Sequence, residues 1–226
     1  GEGFRMDSVA EQIEREINLL RGENSGTVKV GIVSSFASRW LSARLSNFFE
    51  SCSDLSLKIE SINSIDEFHK ANFAIAILWG DTWSDYEHEL LMSSPSYLLG
   101  NRAVYDKTRS LSLQEVMKKF PLLNDGFYGG KGGMQAWHKV ANLKYEPSKS
   151  SLKITDSYTR LQAVIDGQGI ALWDELVREE IEARKLFYIS DIKLEGFGYH
   201  IVYKNKSSLS FEEKQFRKWI LGQLKN

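Results

Sequence analysis

The chain has one cysteine, Cys52, in 226 residues, so no intrachain disulfide framework holds its fold. Proline is scarce, at three. No apolar run reaches the roughly 18 residues of a membrane-spanning helix, which points away from a membrane protein. Charge of one sign is missing too: 29 Lys and Arg face 30 Asp and Glu, a formal net charge of −1. That balance gives no overall attraction to nucleic acid. Neither HExxH nor a paired cysteine spacing offers a metal site. No G-x-S-x-G elbow presents a nucleophile. Cys52 has no activating neighbour and reads as a plain thiol. His69, His88, His138 and His200 are scattered and read as surface or partly packed side chains. No internal repeat and no low-complexity tract is present. The chain starts at Gly1 rather than Met, with no signal peptide before the first ordered pattern, as a trimmed chain would.

An ordinary hydrophobic share, 42%, is enough for one large domain or two small lobes, each with a core. Met6 to Leu20 carries Met6, Val9, Ile13, Ile17 and Leu20 at helical spacing and reads as either a surface helix or a coiled-coil-like linker. From Thr27 the pattern alternates. Val28, Val30 and Ile32 form a strand, and Phe36, Trp40, Leu41, Leu45, Phe48 and Phe49 follow at helical spacing. Leu55, Leu57 and Ile59 make a second strand, and Ser64 to Glu67 opens a short helix with a capping-box pattern. Phe73 to Leu78 is a continuous apolar run, expected of a strand covered on both faces. This βαβαβ order predicts an α/β lobe with a parallel, right-handedly wound sheet.

The second half starts with a strand at Tyr97–Leu99 and a helix capped at Ser112 and Glu115. A strand at Leu122–Phe127, a Gly-rich loop and a helix at Gln135–Ala141 come next. Leu152–Ile154 then leads into a helix bearing Leu161, Val164 and Ile165, and Ile170–Trp173 is a further buried strand. A charged helix over Glu175–Arg184, strands at Phe187–Ile189 and Tyr199–Tyr203, and a helix capped by Ser210 complete the order. Gly129 to Gly133 lacks the Lys-Ser/Thr helix entry of a phosphate loop and reads as an open loop. Asp81, Asp85, Glu87 and Glu89 read as solvated charge rather than a metal cage.

Two strands run directly into hydroxyl residues that open a helix: Val33 into Ser34 and Ser35, and Ile154 into Thr155, Asp156 and Ser157. Such residues cap helices. Helix N-termini also present free N–H groups and partial positive charge, which suit a carboxylate or similar anion. One such terminus per lobe, facing across a cleft, would make a clamshell site.

Val30 to Leu45 resembles the start of the effector-binding domain of LysR-type transcriptional regulators, where a strand is followed by Ser-Phe-Ala-x-x-Trp-Leu-x-x-Arg-Leu. Ala76 to Trp83 is similar to the family's Ala-Ile-Arg-x-Gly-Asp-Gly-x-Trp turn, with Leu78 and Trp79 where the branch often carries Arg. Asp156–Ser157 with Leu161–Leu172 resembles the second-lobe helix and strand, and Phe216–Ile220 the closing helix. The resemblance covers about Thr27 to Leu224 and is nearest to the branch that holds activators of glycine cleavage and β-lactamase genes.

The resemblance implies an α/β type 2 periplasmic-binding-protein fold: two Rossmann-like lobes joined by two crossover segments, preceded by a linker helix. Residues 1–26 would hold a tag remnant and the end of that helix. Residues 27–96 and 203–226 would form lobe I and residues 97–202 lobe II, with crossings near Tyr97–Asn101 and Gly198–Tyr203. A small-molecule effector, plausibly a carboxylate, would lie between the lobes against Ser34, Ser35 and Phe36 on one wall and Asp156 and Ser157 on the other. Gly80, Asp81, Thr82 and Tyr199 are further candidates. The resemblance implies no cofactor, metal or catalysis, a cytoplasmic location, and homodimers or tetramers built through the lobes and linker helix. In those dimers the Ala37–Phe49 helix and Leu55–Glu60 strand would meet a partner's lobe II; Trp40, Leu41 and Phe48 read either as apolar contacts there or, at least as well, as simple core burial. Operator DNA would be bound only by a winged helix-turn-helix domain absent from this sequence. A transporter's solute-binding protein shares the fold and is the alternative; an enzyme using the same cleft would need an acid–base or nucleophile constellation that the sequence lacks.

Overall fold

The computed structural model describes residues 8–14, 16–17, 26–124, 132–146 and 152–225. Residues 8–14 and 16–17 are helical, inside the helix expected at Met6–Leu20, and Val9, Ile13 and Ile17 are all exposed. Next come β1 (Thr27–Ile32), α1, β2 (Ser56–Ser61), α2 (Ile65–Lys70), β3 (Ile75–Gly80) and β4 (Glu87–Ser93). The second half holds β5 (Ser96–Asn101), α3 (Arg102–Thr108), α4 (Leu113–Lys119), β6 (Leu123–Asn124), α5 (Gly133–Val140), β7 (Leu152–Lys153) and α6 (Ser157–Ile165). It ends with β8 (Ala171–Trp173), α7, β9 (Leu186–Leu194), β10 (Gly198–Tyr203) and α8 (Phe211–Gly222). Here α1 joins Ser34–Phe36, a π-helical turn at Ala37–Leu41, a 3-10 turn at Ser42–Arg44 and Leu45–Ser51, and α7 joins a 3-10 turn at Glu175–Val177 to Arg178–Glu182.

The irregular path of α1 has a local cause. Ser38 and Ser42 donate their hydroxyls to the carbonyls of Ser35 and Ser38, and Arg44 donates to the carbonyl of Trp40. These side-chain bonds compete with the regular backbone ladder.

Sheet one has the order β2-β1-β3-β10-β4, with β1 parallel to β2 and β3, and β10 antiparallel to β3 and β4. Its strands sort by parity. Val28, Val30, Ile32, Ile75, Ile77, Ile201 and Tyr203 join Phe36, Leu41 and Phe48 of α1 and Phe216 and Ile220 of α8 in one core. Ala76, Leu78 and Val202 point to the other face, against Phe68 and Phe73. The unbroken apolar run of β3 is thus buried on both sides.

Sheet two is β8-β5-β9, antiparallel throughout, and the Leu122–Ile170 bridge extends it to the parallel pair β6-β7. Leu98, Val116, Trp137 and Ile170 pack on one face, and Leu99, Leu161, Val164 and Trp173 on the other. The chain crosses between the sheets at Ser94–Pro95 and at 195–197, where the Ser94 N–H donates to the Phe197 carbonyl at 2.9 Å. Gly196 makes the second crossing's turn at φ 89°, a backbone state that other residues rarely adopt.

Several expectations are corrected. Gly198–Tyr203 is a strand of sheet one, whereas the sequence reading assigned residues 198–202 to lobe II; Ile201 and Tyr203 are needed in the first core. Tyr97–Asn101 lies inside β5, and the two crossings come just before the segments near which they were expected. The charged stretch after β3 contains β4, an edge strand that exposes Glu87, Leu90 and Ser93 and buries Leu91. Within it Glu89 is not solvated charge: it bonds Arg217, Lys206 and Tyr203. His138 and His200 are buried, not surface residues. The helix α3 was not foreseen, and the expected strand at Leu122–Phe127 lies partly outside the described residues. For Trp40, Leu41 and Phe48 the structure decides between the two readings in favour of burial in their own core.

Candidate functional site

The N-terminal ends of α1 and α6 meet between the lobes. The first is preceded by Val33, whose side chain cannot cap it, and the second is capped by Asp156, which accepts the Thr159 N–H. Each end is then completed from the opposite lobe. The Ser35 N–H donates to Ser157 Oγ at 2.8 Å, and the Tyr158 N–H donates to Ser34 Oγ at 3.0 Å. Ser34 Oγ in turn donates to Asp156 Oδ1 at 2.6 Å and stands 3.1 Å from Ser157 Oγ. Ser35 and Ser157 are buried and Ser34 is half-buried. The two serines therefore exchange caps across the cleft, satisfying N–H groups that helix ends leave free. The sequence reading put a guest between these tips; in this structure they touch.

Asp156 carries the charge of the junction. Burial pushes its carboxyl up, but the bonds from Ser34 and Thr159 and the nearby Arg160 together hold it below the usual carboxylate value.

Behind the junction lies a second polar group. Tyr199, 3% exposed, donates its hydroxyl to Asp174 Oδ2 at 2.7 Å, and its ring packs against Phe36 of α1 with centroids 4.8 Å apart. Ser94 Oγ donates to the same Asp174 oxygen at 2.5 Å, and the Leu176 N–H donates to Oδ1 at 2.9 Å. Trp79 Nε1 donates to Ser94 at 2.9 Å. Burial pushes the Asp174 carboxyl up. Burial and the Asp174 carboxylate push the Tyr199 hydroxyl well up. This network runs from the first crossing, at Ser94, through lobe II, at Asp174, to Tyr199 of β10, which packs on Phe36 of α1.

Of the residues expected to line a site, the structure brings together Ser34, Ser35, Asp156, Ser157 and Tyr199. Phe36 is fully buried, stacked on Trp40 and packed against Tyr199, so it supports the site rather than lining it. Gly80 ends β3, paired with Gly198, and Asp81 and Thr82 open a loop with its own bonds: Asp81 accepts the Thr82 N–H, Thr82 bonds His88, and Trp83 covers Gly80. Asp174, Ser94 and Trp79 were missed as site residues. The sequence offers Asp174 just after the buried strand as a helix cap, but nothing in it points to a partner 80 residues earlier. A second contact between the lobes pairs Arg39 of α1 with Glu180 of α7, while Arg39 also donates to the Leu176 carbonyl at 3.3 Å.

Among the described residues no group of three or more His, Cys, Asp or Glu is placed to hold a metal, and no helix is long and apolar enough to cross a membrane.

Comparison with known proteins agrees with this architecture. The LysR substrate binding domain profile matches residues 21–225. The chain is 23% identical over 228 residues to the glycine cleavage system transcriptional activator of Escherichia coli K12, covering 98% of this chain and 74% of that protein. It is 26% identical over 205 residues to the carbapenem-hydrolyzing β-lactamase transcriptional activator of Serratia marcescens, covering 89% and 68%. The AmpR effector-binding domain from Citrobacter freundii superposes with a TM-score of 0.71 at 20% identity, over 88% of this chain and 98% of that one. CrgA, a LysR-type regulator from Neisseria meningitidis, superposes with a TM-score of 0.72 at 15% identity, over 99% and 76%. These relatives are transcriptional regulators and not solute-binding proteins of transporters, so that alternative is set aside. With its family profile spanning nearly all of the chain, this protein belongs to the LysR substrate binding domain family and is the effector-binding domain of a LysR-type transcriptional regulator.

Proposed function

We propose that this domain senses a small carboxylate-bearing metabolite at the junction of α1 and α6, by binding and without catalysis. The observation that supports this reading is the exchange of caps between Ser34 and Ser157. Two helix N-termini, one per lobe, are there held by neutral hydroxyl oxygens. A carboxylate is a stronger acceptor for the same Ser35 and Tyr158 N–H groups, because charge assistance and the helix dipoles both favour it. Once Ser34 turns aside, Asp156 loses a donor. A ligand with an ammonium or hydroxyl next to its carboxylate restores that bond, which favours amino-acid-like effectors.

Such a ligand touches both lobes, and its differential affinity for their arrangements is what shifts the equilibrium between them. The shift is passed to the regulator's DNA-binding domain through a dimer in which α1 and β2 meet a partner's lobe II. Phe49 and Ile59 are the exposed apolar side chains on those elements. Sedimentation showing only monomer at high concentration would remove the dimer.

The test of the site is a thermal-shift screen of carboxylates, amino acids and peptidoglycan fragments. A hit should appear with the wild type and disappear in the Ser34→Ala/Ser157→Ala variant. A hit whose affinity ignores both substitutions places the site elsewhere, and turnover of any member of the panel contradicts a purely binding role.

A further inference from the structure

Trp79 is the last residue but one of β3, and its indole is held from three directions. The ring stacks on Phe197, with centroids 4.7 Å apart and 17° between planes. Its Nε1–H donates to Ser94 Oγ at 2.9 Å. Its far edge lies against Gly133 at the start of α5, where an added methyl group would stand 2.5 Å from the ring. Ser94 and Phe197 belong to the two crossings and Gly133 to lobe II, so one side chain from lobe I occupies the groove between all three. Gly133 is the last residue of the glycine-rich segment, and its missing side chain is what lets the indole in.

The ring is also wired to the junction. Its bond to Ser94 continues through Asp174 to Tyr199, and Tyr199 packs on Phe36, the third residue of α1. Trp79 cannot swing away without breaking the Ser94 bond and unstacking from Phe197, and Gly133 and α5 block its far side. β3 runs parallel to β1 with Ile77 opposite Ile32, so Trp79 stands beside the start of α1 at the carboxyl ends of both strands, and a ligand seated on the α1 and α6 tips has the indole on this flank.

We infer that Trp79 is the residue that sets the size limit of the interlobe cleft, acting as a built-in plug that confines the effector to the α1–α6 junction. The inference rests on the reading of that junction as the effector site. It assigns the effector to small carboxylates and excludes those that carry a bulky group towards α5.

Trp79→Gly tests this in two arms. In the first, indole at millimolar concentration should raise the melting temperature of Trp79→Gly by a few degrees and leave the wild type unchanged, because it refills a receptor shaped for it. In the second, acetate, glycine, L-glutamate and N-acetylmuramyl dipeptide are titrated against both proteins. The small members should bind both within about threefold, and the muramyl dipeptide should bind the variant at least tenfold more tightly. Indole without effect on a natively folded variant, or the dipeptide binding both proteins alike, overturns the size limit and leaves the junction standing. A panel silent on both proteins while indole binds overturns the junction reading, and the size limit with it. Trp79→Ala carries the same arms if Trp79→Gly does not fold. Gly133→Ala provides a check without ligands: it should lower the melting temperature, and adding Trp79→Ala should recover part of the loss. A Gly133→Ala variant as stable as the wild type overturns the plug.

Discussion

Ser34 and Asp156 lie 122 residues apart in the chain, yet the Ser34 hydroxyl donates to the Asp156 carboxylate at 2.6 Å. That bond joins a helix terminus of lobe I to the N-cap of a helix in lobe II, so local helix stability and closure of the lobes depend on the same atoms. Weakening the cap should loosen both.

Asp156→Asn keeps an N-cap acceptor for α6 but loses the carboxylate charge that strengthens the Ser34 and Thr159 bonds, so it should destabilise the domain at pH 7 by about 1 kcal/mol. The folded carboxyl titrates below its ordinary value, so its contribution is present above that value and fades as pH falls through the lower, folded one. Urea melts of wild type and variant should differ at pH 7 and converge towards pH 3. A gap that persists undiminished at pH 3 contradicts the assignment.

Glu89 ties the edge strand β4 to α8 by a different logic. Burial pushes its carboxyl up, but bonds from Arg217 at 2.6 Å, Lys206 at 2.6 Å and the Tyr203 hydroxyl at 2.8 Å outweigh this and bring it down to about 2. The stabilisation is complete above the ordinary value of 4.5 and is lost as pH approaches 2. Glu89→Gln should cost about 2 kcal/mol at neutral pH, the range for a hydrogen bond to a charged group. At pH 2.5 calorimetry should find most of that difference gone.

His88 and His200 face each other with 3.2 Å between their Nδ1 atoms, which requires one nitrogen to donate and the other to accept. The Trp83 N–H donates to His88 Nε2, so His88 is protonated on Nδ1 and His200 accepts that bond on its own Nδ1, which leaves the His200 proton on Nε2. Burial first, and His88 second, lower the His200 value, against smaller opposing effects of the Gly80 bond and Asp81. The folded value lies below 6.5, so this contribution is intact above that pH and disappears as pH falls below it. Melting temperature should drop between pH 7 and pH 5 in the wild type and drop less in His88→Asn. Two nitrogen-15 histidine spectra with the same tautomer on both rings would refute the arrangement.

Asp174 has the opposite sign. Its carboxyl is raised by burial, so its favourable contribution is complete below the ordinary value and is lost as pH climbs through the raised one. Asp174→Asn should be at least as stable as the wild type at pH 7, since an amide avoids the burial of charge and Ser94 and Tyr199 can turn their hydroxyls. Asp174→Leu should lose about 1–3 kcal/mol for each donor stranded among the Ser94, Tyr199 and Leu176 groups. Chemical denaturation of both variants at pH 7 separates the two effects, and an Asn variant weaker than the Leu variant would reverse the argument.

The amino-acid sequence by itself determined the elements whose cause is local. The capping boxes at Ser112–Glu115 and Ser210–Glu213 formed as spaced, because each closes between residues three apart. The apolar run of β3 declared a strand buried on both faces, and the hydroxyls after β1 and β7 marked the helix tips that meet. Tertiary structure alone decided the rest. β4 is a strand because β10, more than a hundred residues later, pairs with it, and no periodicity in Glu87–Ser93 encodes that neighbour. The exchanged caps, the Trp79–Gly133 contact and the His88–His200 pair likewise join residues whose separation leaves no trace in sequence spacing. Hydrogen bonds and packing act over a few ångströms, so patterns within one helix or strand are legible along the chain, whereas a site assembled from two lobes exists only once both crossings have placed them face to face.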